Sequence, residues 1–540
     1  MKKFLTLIFT LASALSIYGQ GSMRTVQTLD QLLAINPAAV GVGSSITNTV
    51  YSVLARNSSL PYNAARTFRN WRGTPYTTNI ANVYPAVDGS QWVAEDRTAP
   101  IQDSTWWTYF NNSADSTAAL QAAINSQPKV LALMTDATIT QLLVTNAITF
   151  QGYGITFYQF TNGVATNFIQ VASNTVNVRF QGITFDGRNQ AARCIRVDQN
   201  TDGELLDCTF QNFQEFNVPG KITTVAFYVN GGGTAWTVDS CIFKDLTGLP
   251  DGGIATGTGF TCGIYINREF GSGSGASSVK PKRIDIVRSK FLRILPGEDS
   301  DAIRWTDSGW VFDDINVSVD HCYFEDIGKR AFKASGSGGQ FVNNIITNSF
   351  DSSFQATGWV DVGNLKEQYA VVSLYGRNLL VANNRYNGGR IRHFFESTIN
   401  EDTPLPARNE IYGNIFVLST NWGLNGLSVT NIGQGTMFGG IYSSSDINVH
   451  DNYGEVVQFG VQVFSGSTNI SIRDNHFVGL ANTNNLVEAA STNGWGRGVR
   501  LGRYSTNGYV GGAVQNAVIS GNFFDNFGAA IDLSETTNTF

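Results

Sequence analysis

The chain has 540 residues, a formal net charge of −6, 14% charged and 12% aromatic residues, and 56 glycines. An acidic, charge-poor chain lacks the basic surface that nucleic-acid binding requires. Abundant glycine and aromatics with little charge suit a turn-rich all-β protein, in which each turn of chain needs several corners.

Met1-Lys2-Lys3 precedes an apolar run from Phe4 to Ile17, followed by Gly19 and Gln20. A basic start with a 14-residue apolar core reads as a secretory signal over 1–20, too short to span a bilayer. Ile17 is not the small residue preferred at −3, and a buried N-terminal helix is the alternative. No other segment reaches membrane-spanning length. The mature protein is therefore expected to be secreted, periplasmic or held at the cell surface.

Residues 21–110 show no repeat. Leu29 to Leu33 reads as a short helical turn, and the Asn-, Thr-, Pro- and aromatic-rich stretch Asn57 to Asp96 as irregular structure. This module is expected to be an adaptor or a cap over a solenoid end, where open strand edges need covering. From Asp115 to Asn125, a capping Asp115 or Ser116 is followed by alanines, Leu120 and Ile124 at amphipathic helical spacing.

Residues 111–540 carry a repeat of Asn, Cys or Ser, any residue, then Phe or Tyr. Examples are Cys208-Thr209-Phe210, Cys241-Ile242-Phe243, Cys322-Tyr323-Phe324, Asn384-Arg385-Tyr386, Asn414-Ile415-Phe416, Asn475-His476-Phe477 and Asn522-Phe523-Phe524, with Ser289-Lys290-Phe291 and Ile183-Thr184-Phe185 as variants. Phe185, Phe210, Phe243, Phe291 and Phe324 lie 25, 33, 48 and 33 residues apart. Such short strands bury an apolar face only by stacking, so the repeat predicts an all-β, right-handed parallel β-helix. The shorter intervals read as single coils and the longer ones as coils with inserted loops. The Asn and Cys residues are expected to stack between coils as amide ladders and small buried side chains. Five cysteines, Cys194, Cys208, Cys241, Cys262 and Cys322, without CxxC spacing argue against a disulfide framework or a zinc site.

The helix followed by strands resembles the start of the pectate-lyase-like β-helix superfamily, whose members include lyases, hydrolases, epimerases and phage tailspikes. Charge concentrates between Lys280 and Lys333. This suits an acidic sugar, or a cation bridging to one, as well as a solvated face of intercoil salt bridges. Asp299-Ser300-Asp301-Ala302-Ile303-Arg304, Cys322 to Asp326, Lys333-Ala334-Ser335-Gly336 and Leu374-Tyr375-Gly376-Arg377 follow one another here. Their order resembles the alginate lyase and chondroitinase B family over less than a fifth of the chain. The resemblance implies Lys333 as the catalytic lysine and Arg377 as its arginine, with Tyr375 as the candidate acid and Arg304, like Lys329 and Arg330, as a cation that would depress the Lys333 pKa. Lys329, Arg330, Trp305 and Arg390 are the substrate-binding candidates. Glu298, Asp299 and Asp301 are the candidate Ca2+ ligands, although Gly328-Lys329-Arg330 occupies the place of that family's acidic calcium motif.

β-Elimination from a uronate needs its carboxylate neutralised and its C5 proton removed, which a cation and a base supply. Asn200-Thr201-Asp202-Gly203 resembles the first polygalacturonase motif but lacks the paired Asp and Gly-His-Gly, and reads as a turn. Paired carboxylates leave hydrolysis open. The expected function is thus a secreted enzyme degrading an acidic polysaccharide, most simply a lyase. The alternative is a tailspike-like or surface glycan-binding protein, hydrolytic or inactive, and resemblance to tailspikes would make it a homotrimer.

Overall fold

The computed structural model describes residues 23–37, 50–55, 66–71, 76, 83–95, 101–103, 115–160, 167–189, 193–214, 224–247, 260–267, 282–295, 299–306, 316–349, 368–389, 391–398, 406–418, 437–456, 459–464, 466–480, 497–502 and 513–533. The signal read over 1–20 lies outside them. The chain divides into two compact units, Met1–Thr135 and Asp136–Phe540.

The first unit holds a five-stranded mixed sheet. Met23–Thr28 pairs in parallel with Val50–Ala55, and Arg66–Trp71, Gln91–Ala94 and Val83–Pro85 continue it antiparallel. The stretch expected to be irregular therefore contributes three strands. Arg66–Trp71 alternates buried and less buried residues, which closes one face over Phe68 and Trp92. Helix Leu29–Leu33 is capped by the Thr28 hydroxyl, which accepts from Gln31 N at 3.3 Å. Helix Thr117–Asn125 starts beside Asp115, whose carboxylate accepts from Thr117 N at 3.0 Å.

The second unit is a right-handed parallel β-helix of three strand faces, the hand that strand–loop–parallel strand connections take. One face is a 13-stranded parallel sheet from Leu142–Val144 to Ala529–Asp532. The repeated aromatics fall in one register row: Phe185, Phe210, Phe243, Phe291 and Phe324, then Tyr386 and Phe416, then Phe477 and Phe524. Ile346 and Gly454 fill the two rungs the repeat missed. From Phe210 to Phe324 the rings stack at 4.8–4.9 Å, the spacing of adjacent strands.

Two residues before each of these rungs, Asn344, Asn384, Asn414, Asn452, Asn475 and Asn522 form an amide ladder, buried except at Asn522. Each backbone N–H donates to the next side-chain Oδ1 at 2.9–3.1 Å. Toward the N-terminus, Cys322, Ser289, Cys241 and Cys208 continue it, with the three thiols and the Ser289 hydroxyl donating to backbone carbonyls. All five cysteines are buried and none is in a disulfide. Burial pushes the Cys322 thiol up to about 12 and the Cys194 and Cys241 thiols well above their usual range, so they are inert packing groups.

Candidate functional site

The 13-stranded sheet repeats a second pattern, two small or apolar residues, one polar residue, then a small or apolar one. It reads Ala226-Phe227-Tyr228-Val229, Gly263-Ile264-Tyr265-Ile266, Ala302-Ile303-Arg304-Trp305, Ala331-Phe332-Lys333-Ala334, Val371-Val372-Ser373-Leu374 and Phe394-Phe395-Glu396-Ser397. The first two residues both turn inward. A Cβ on Gly263 would stand 2.9 Å from the core ring of Phe291, and one on Gly460 would stand 2.6 Å from Phe477. The third residue lies on the other side of the sheet from this core, where Arg196, Tyr265 and Arg304 are half-buried and Tyr228, Lys333, Ser373 and Glu396 are buried. Because strands from successive coils pair in register, these third residues form one row: Arg196, Tyr228, Tyr265, Arg304, Lys333, Ser373 and Glu396. Neighbours along it are about 4.8 Å apart.

At the N-terminal end of the row, Tyr228 and Tyr265 stack at 5.2 Å. Arg193 lies over the Tyr228 ring at 5.0 Å and Arg304 over the Tyr265 ring at 5.9 Å. Asn267 donates to the Tyr228 hydroxyl at 3.1 Å, and Thr306 donates to the Tyr265 hydroxyl at 3.1 Å. Burial raises the Tyr265 hydroxyl above the ordinary phenol range.

Further along, Arg330 is the centre of a buried polar network. Its guanidinium donates to Ser373 Oγ at 2.8 Å, to the Tyr375 hydroxyl at 3.2 Å and to Asp301 Oδ1 at 3.3 Å. Glu396, 1% exposed, accepts from Ser373 at 2.6 Å and Tyr375 at 3.1 Å through Oε1, and from Tyr369 at 2.6 Å through Oε2. Arg330 Nε lies 3.9 Å from the same Oε1. Lys333 Nζ stands 5.5 Å from the Tyr375 ring centroid. Burial, then the Glu396 charge, pushes the Tyr369 hydroxyl well above its usual range, so it stays a donor. His393 is fully buried against the Tyr369 ring, and burial followed by Arg392 holds it well below the usual histidine range.

Of the candidates read from the sequence, Arg304, Arg330, Lys333, Tyr375 and Asp301 meet on this face. Arg377 stands apart. It bridges Ala407 at the start of a neighbouring face, four positions beyond Ser373, the register partner of Lys333. Lys329 is half-buried at the start of its strand, where its carbonyl accepts from Ala370 N at 3.1 Å. Trp305 is corrected from a sugar platform to a core residue: it is 1% exposed and fills the space left by Gly336 and Gly339. Glu298 and Arg390 lie outside the described residues, and Asp299 opens its strand opposite Phe260.

The Asp301 carboxylate does not fit a calcium ligand. It is fully buried, with Arg330 at 3.3 Å and Arg304 at 3.8 Å, so two cations already face it. Among the described residues no three His, Cys, Asp or Glu side chains converge as a metal site. No described helix is long and apolar enough to cross a membrane.

Sequence reasoning missed Ser373, Glu396, Tyr369 and His393. The four-residue pattern was the available signal, since it places Ser373 and Glu396 in line with Arg304 and Lys333.

No protein-family model matches the chain, and no curated protein matches it. Among solved structures it is similar to PfbA, a surface adhesin of Streptococcus pneumoniae, with 11% identity, a TM-score of 0.45, and coverage of 80% of this chain and 93% of that one. The enzymatically active domain of bacteriophage CBA120 tailspike protein 2 gives 13%, 0.39, 95% and 60% in the same order. The mannuronan C-5 epimerase AlgE4 A-module of Azotobacter vinelandii gives 11%, 0.28, 81% and 99%. These values are too low for any of the three to say what this chain does, and the fold rests on its own strand registers.

Proposed function

We propose that the chain acts on a uronate-containing polysaccharide laid along the 13-stranded face, cleaving it by β-elimination. The observation that carries this reading is the row in which Arg304 and Lys333 are register neighbours, with Lys333 Nζ 5.5 Å from the Tyr375 ring centroid. Arg304 would neutralise the uronate carboxylate, which acidifies the C5 proton. Lys333 Nζ, as the neutral amine, would take that proton, with Tyr375 Oη as the alternative base. Hydrolysis is less favoured. It needs one carboxyl as an acid and a second as base or nucleophile, whereas Asp301 and Glu396 both lie against the same guanidinium. Export across a membrane, expected from the N-terminal sequence, belongs to the same reading, because such polysaccharides lie outside cells.

The test is incubation with a panel of uronic-acid polysaccharides while ultraviolet absorbance of the unsaturated product is followed. A rise that Lys333→Ala reduces by about 100-fold or more would support elimination at this row. New reducing ends without absorbance would indicate a hydrolase. Retention of polysaccharide without cleavage would indicate a binding protein.

A further inference from the structure

Resting on that reading for its ligand, we infer that Arg193, Arg196 and the Tyr228–Tyr265 pair form a second carboxylate subsite, which holds one uronate of the polysaccharide while another lies at Lys333. Arg193 and Arg330 occupy one register row, in the order Arg193, Val225, Cys262, Asp301, Arg330. Arg330 has the Asp301 carboxylate at 3.3 Å. Arg193 instead has Val225 and Cys262 on the rungs beside it, both fully buried and apolar. Asp301 is three rungs off, about 14 Å, too far to serve as its counterion. Among the described residues no carboxylate pairs with Arg193, and no acceptor takes a hydrogen bond from its buried Nε.

The tyrosines hold the guanidiniums in place without neutralising them. Tyr228 and Tyr265 stack with their planes 8° apart. Arg193 and Arg196 lie over the Tyr228 ring at 5.0 and 5.9 Å, and Arg304 over the Tyr265 ring at 5.9 Å. Strand order puts these arginines at opposite ends of the stack, so it presents charge rather than a bare ring face for a sugar. Arg196 is paired with Asp198 at 2.7 Å, and Asp198 also accepts from Gln170 at 2.7 Å. The excess charge is therefore that of Arg193. Burial, the largest influence, holds its guanidinium below the ordinary range, with Arg196 adding to the effect and the Tyr228 and Tyr265 hydroxyls opposing it. The group stays charged at neutral pH. A half-buried cation without a counterion costs folding free energy, which an anionic ligand would offset.

A carboxylate is the anion that a guanidinium fork matches with two parallel hydrogen bonds, and every uronate carries one. Arg196 stands four rungs from Lys333 along the polar row, about 19 Å. A single sugar ring cannot bridge that span, so both places fill together only with a longer polysaccharide. Arg193 would then hold the substrate and set which uronate lies over Lys333. It touches no reacting atom, so it is a substrate-binding residue rather than a catalytic one.

The decisive experiment is equilibrium binding of oligouronates to the full chain carrying Lys333→Ala, so that cleavage does not consume the probe. The probes are a uronic-acid dimer, an octamer, and the same octamer with its carboxylates reduced to alcohols. The octamer should bind about 10-fold more tightly than either of the others. Adding Arg193→Gln should weaken the octamer by about 10-fold, leave the dimer and the reduced octamer little changed, and flatten the salt dependence of octamer binding. Arg193→Lys keeps the charge and loses the fork, so its affinity should fall between the two. The comparison of dimer with octamer needs no substitution at Arg193, so it decides the matter even if Arg193→Gln does not fold. Equal affinity for dimer and octamer, an octamer affinity that Arg193→Gln leaves unchanged, or an equal loss for the reduced octamer would overturn the subsite while leaving elimination at Lys333 standing. Arg193-dependent octamer binding by a protein whose wild type eliminates from no uronan would support the subsite and sink the lyase reading.

Discussion

At the scale of single residues, the interior is ruled by whether a polar atom has its partner. Asn414 accepts from the backbone and side-chain nitrogens of Asn384 and donates to Val381 O at 2.9 Å and to Asn452 at 3.0 Å. Asn414→Ala strands several of these groups and should lower unfolding free energy by about 3 kcal/mol, read from denaturant melts. Trp305→Ala should cost about 3–5 kcal/mol for the cavity it leaves. Its loss should appear as a lower Tm and not as a change in polysaccharide affinity, which would separate the core role from a sugar platform. His393 gives the pH-dependent case. Its folded pKa lies below the unfolded value of about 6.5. Below that pH the unfolded chain binds a proton the folded chain does not, so stability falls as pH drops, with a slope of up to about 1.4 kcal/mol per unit. Stability measured between neutral pH and pH 5 should show this slope, and His393→Leu should flatten it. Lys333, Arg304 and Tyr375 were legible as candidates because residue type suggests chemistry. Glu396 was marked only by the four-residue pattern Phe394-Phe395-Glu396-Ser397, which gives its place in the row and not its burial.

At the scale of the element, the corner between two faces is the unit that repeats. Asp207, Ser240, Arg288, His321, Asn343, Asn383, Asp451 and Asp474 all have φ between +49° and +57°, and each directly precedes a ladder residue. Gly413 and Gly521 take the same place at φ +64° and +65°. The left-handed conformation turns the chain within two residues, so the Asn, Cys or Ser that follows enters the core. For a side chain with a Cβ this conformation costs on the order of 1 kcal/mol. His321→Gly should therefore raise stability by up to about 1 kcal/mol, offset by the freer unfolded chain, whereas Gly413→Val should lower it by about 2 kcal/mol. Melting temperatures of the two variants, moving in opposite directions, check this. The ladder side of each corner was readable from sequence through Asn-x-Phe. The left-handed residue before it was not, because Asp, Ser, Arg, His, Asn and Gly share no chemistry, only a backbone angle.

At the scale of the whole molecule, a solenoid is held by neighbouring coils rather than by one central core. Among the described residues the C-terminal coil packs against one other coil, and Phe523, Val518 and Leu533 are 59%, 52% and 48% exposed. Amide hydrogen exchange should be fastest there among the described coils, over Gln515–Ser520 and Ala529–Asp532, and slowest in central strands such as Arg330–Ala334. Equal protection along the axis would contradict a chain of nearest-neighbour contacts. By itself the sequence determined that the chain coils and which residues line the inside, because every coil must present an apolar rung and a short corner at the same place. Only the tertiary structure decided which polar residues meet. Coils of unequal length carry Asp301, Arg330, Ser373 and Glu396 to adjacent rungs, and no spacing along the chain encodes that meeting. It follows from strand register, a property of the stack.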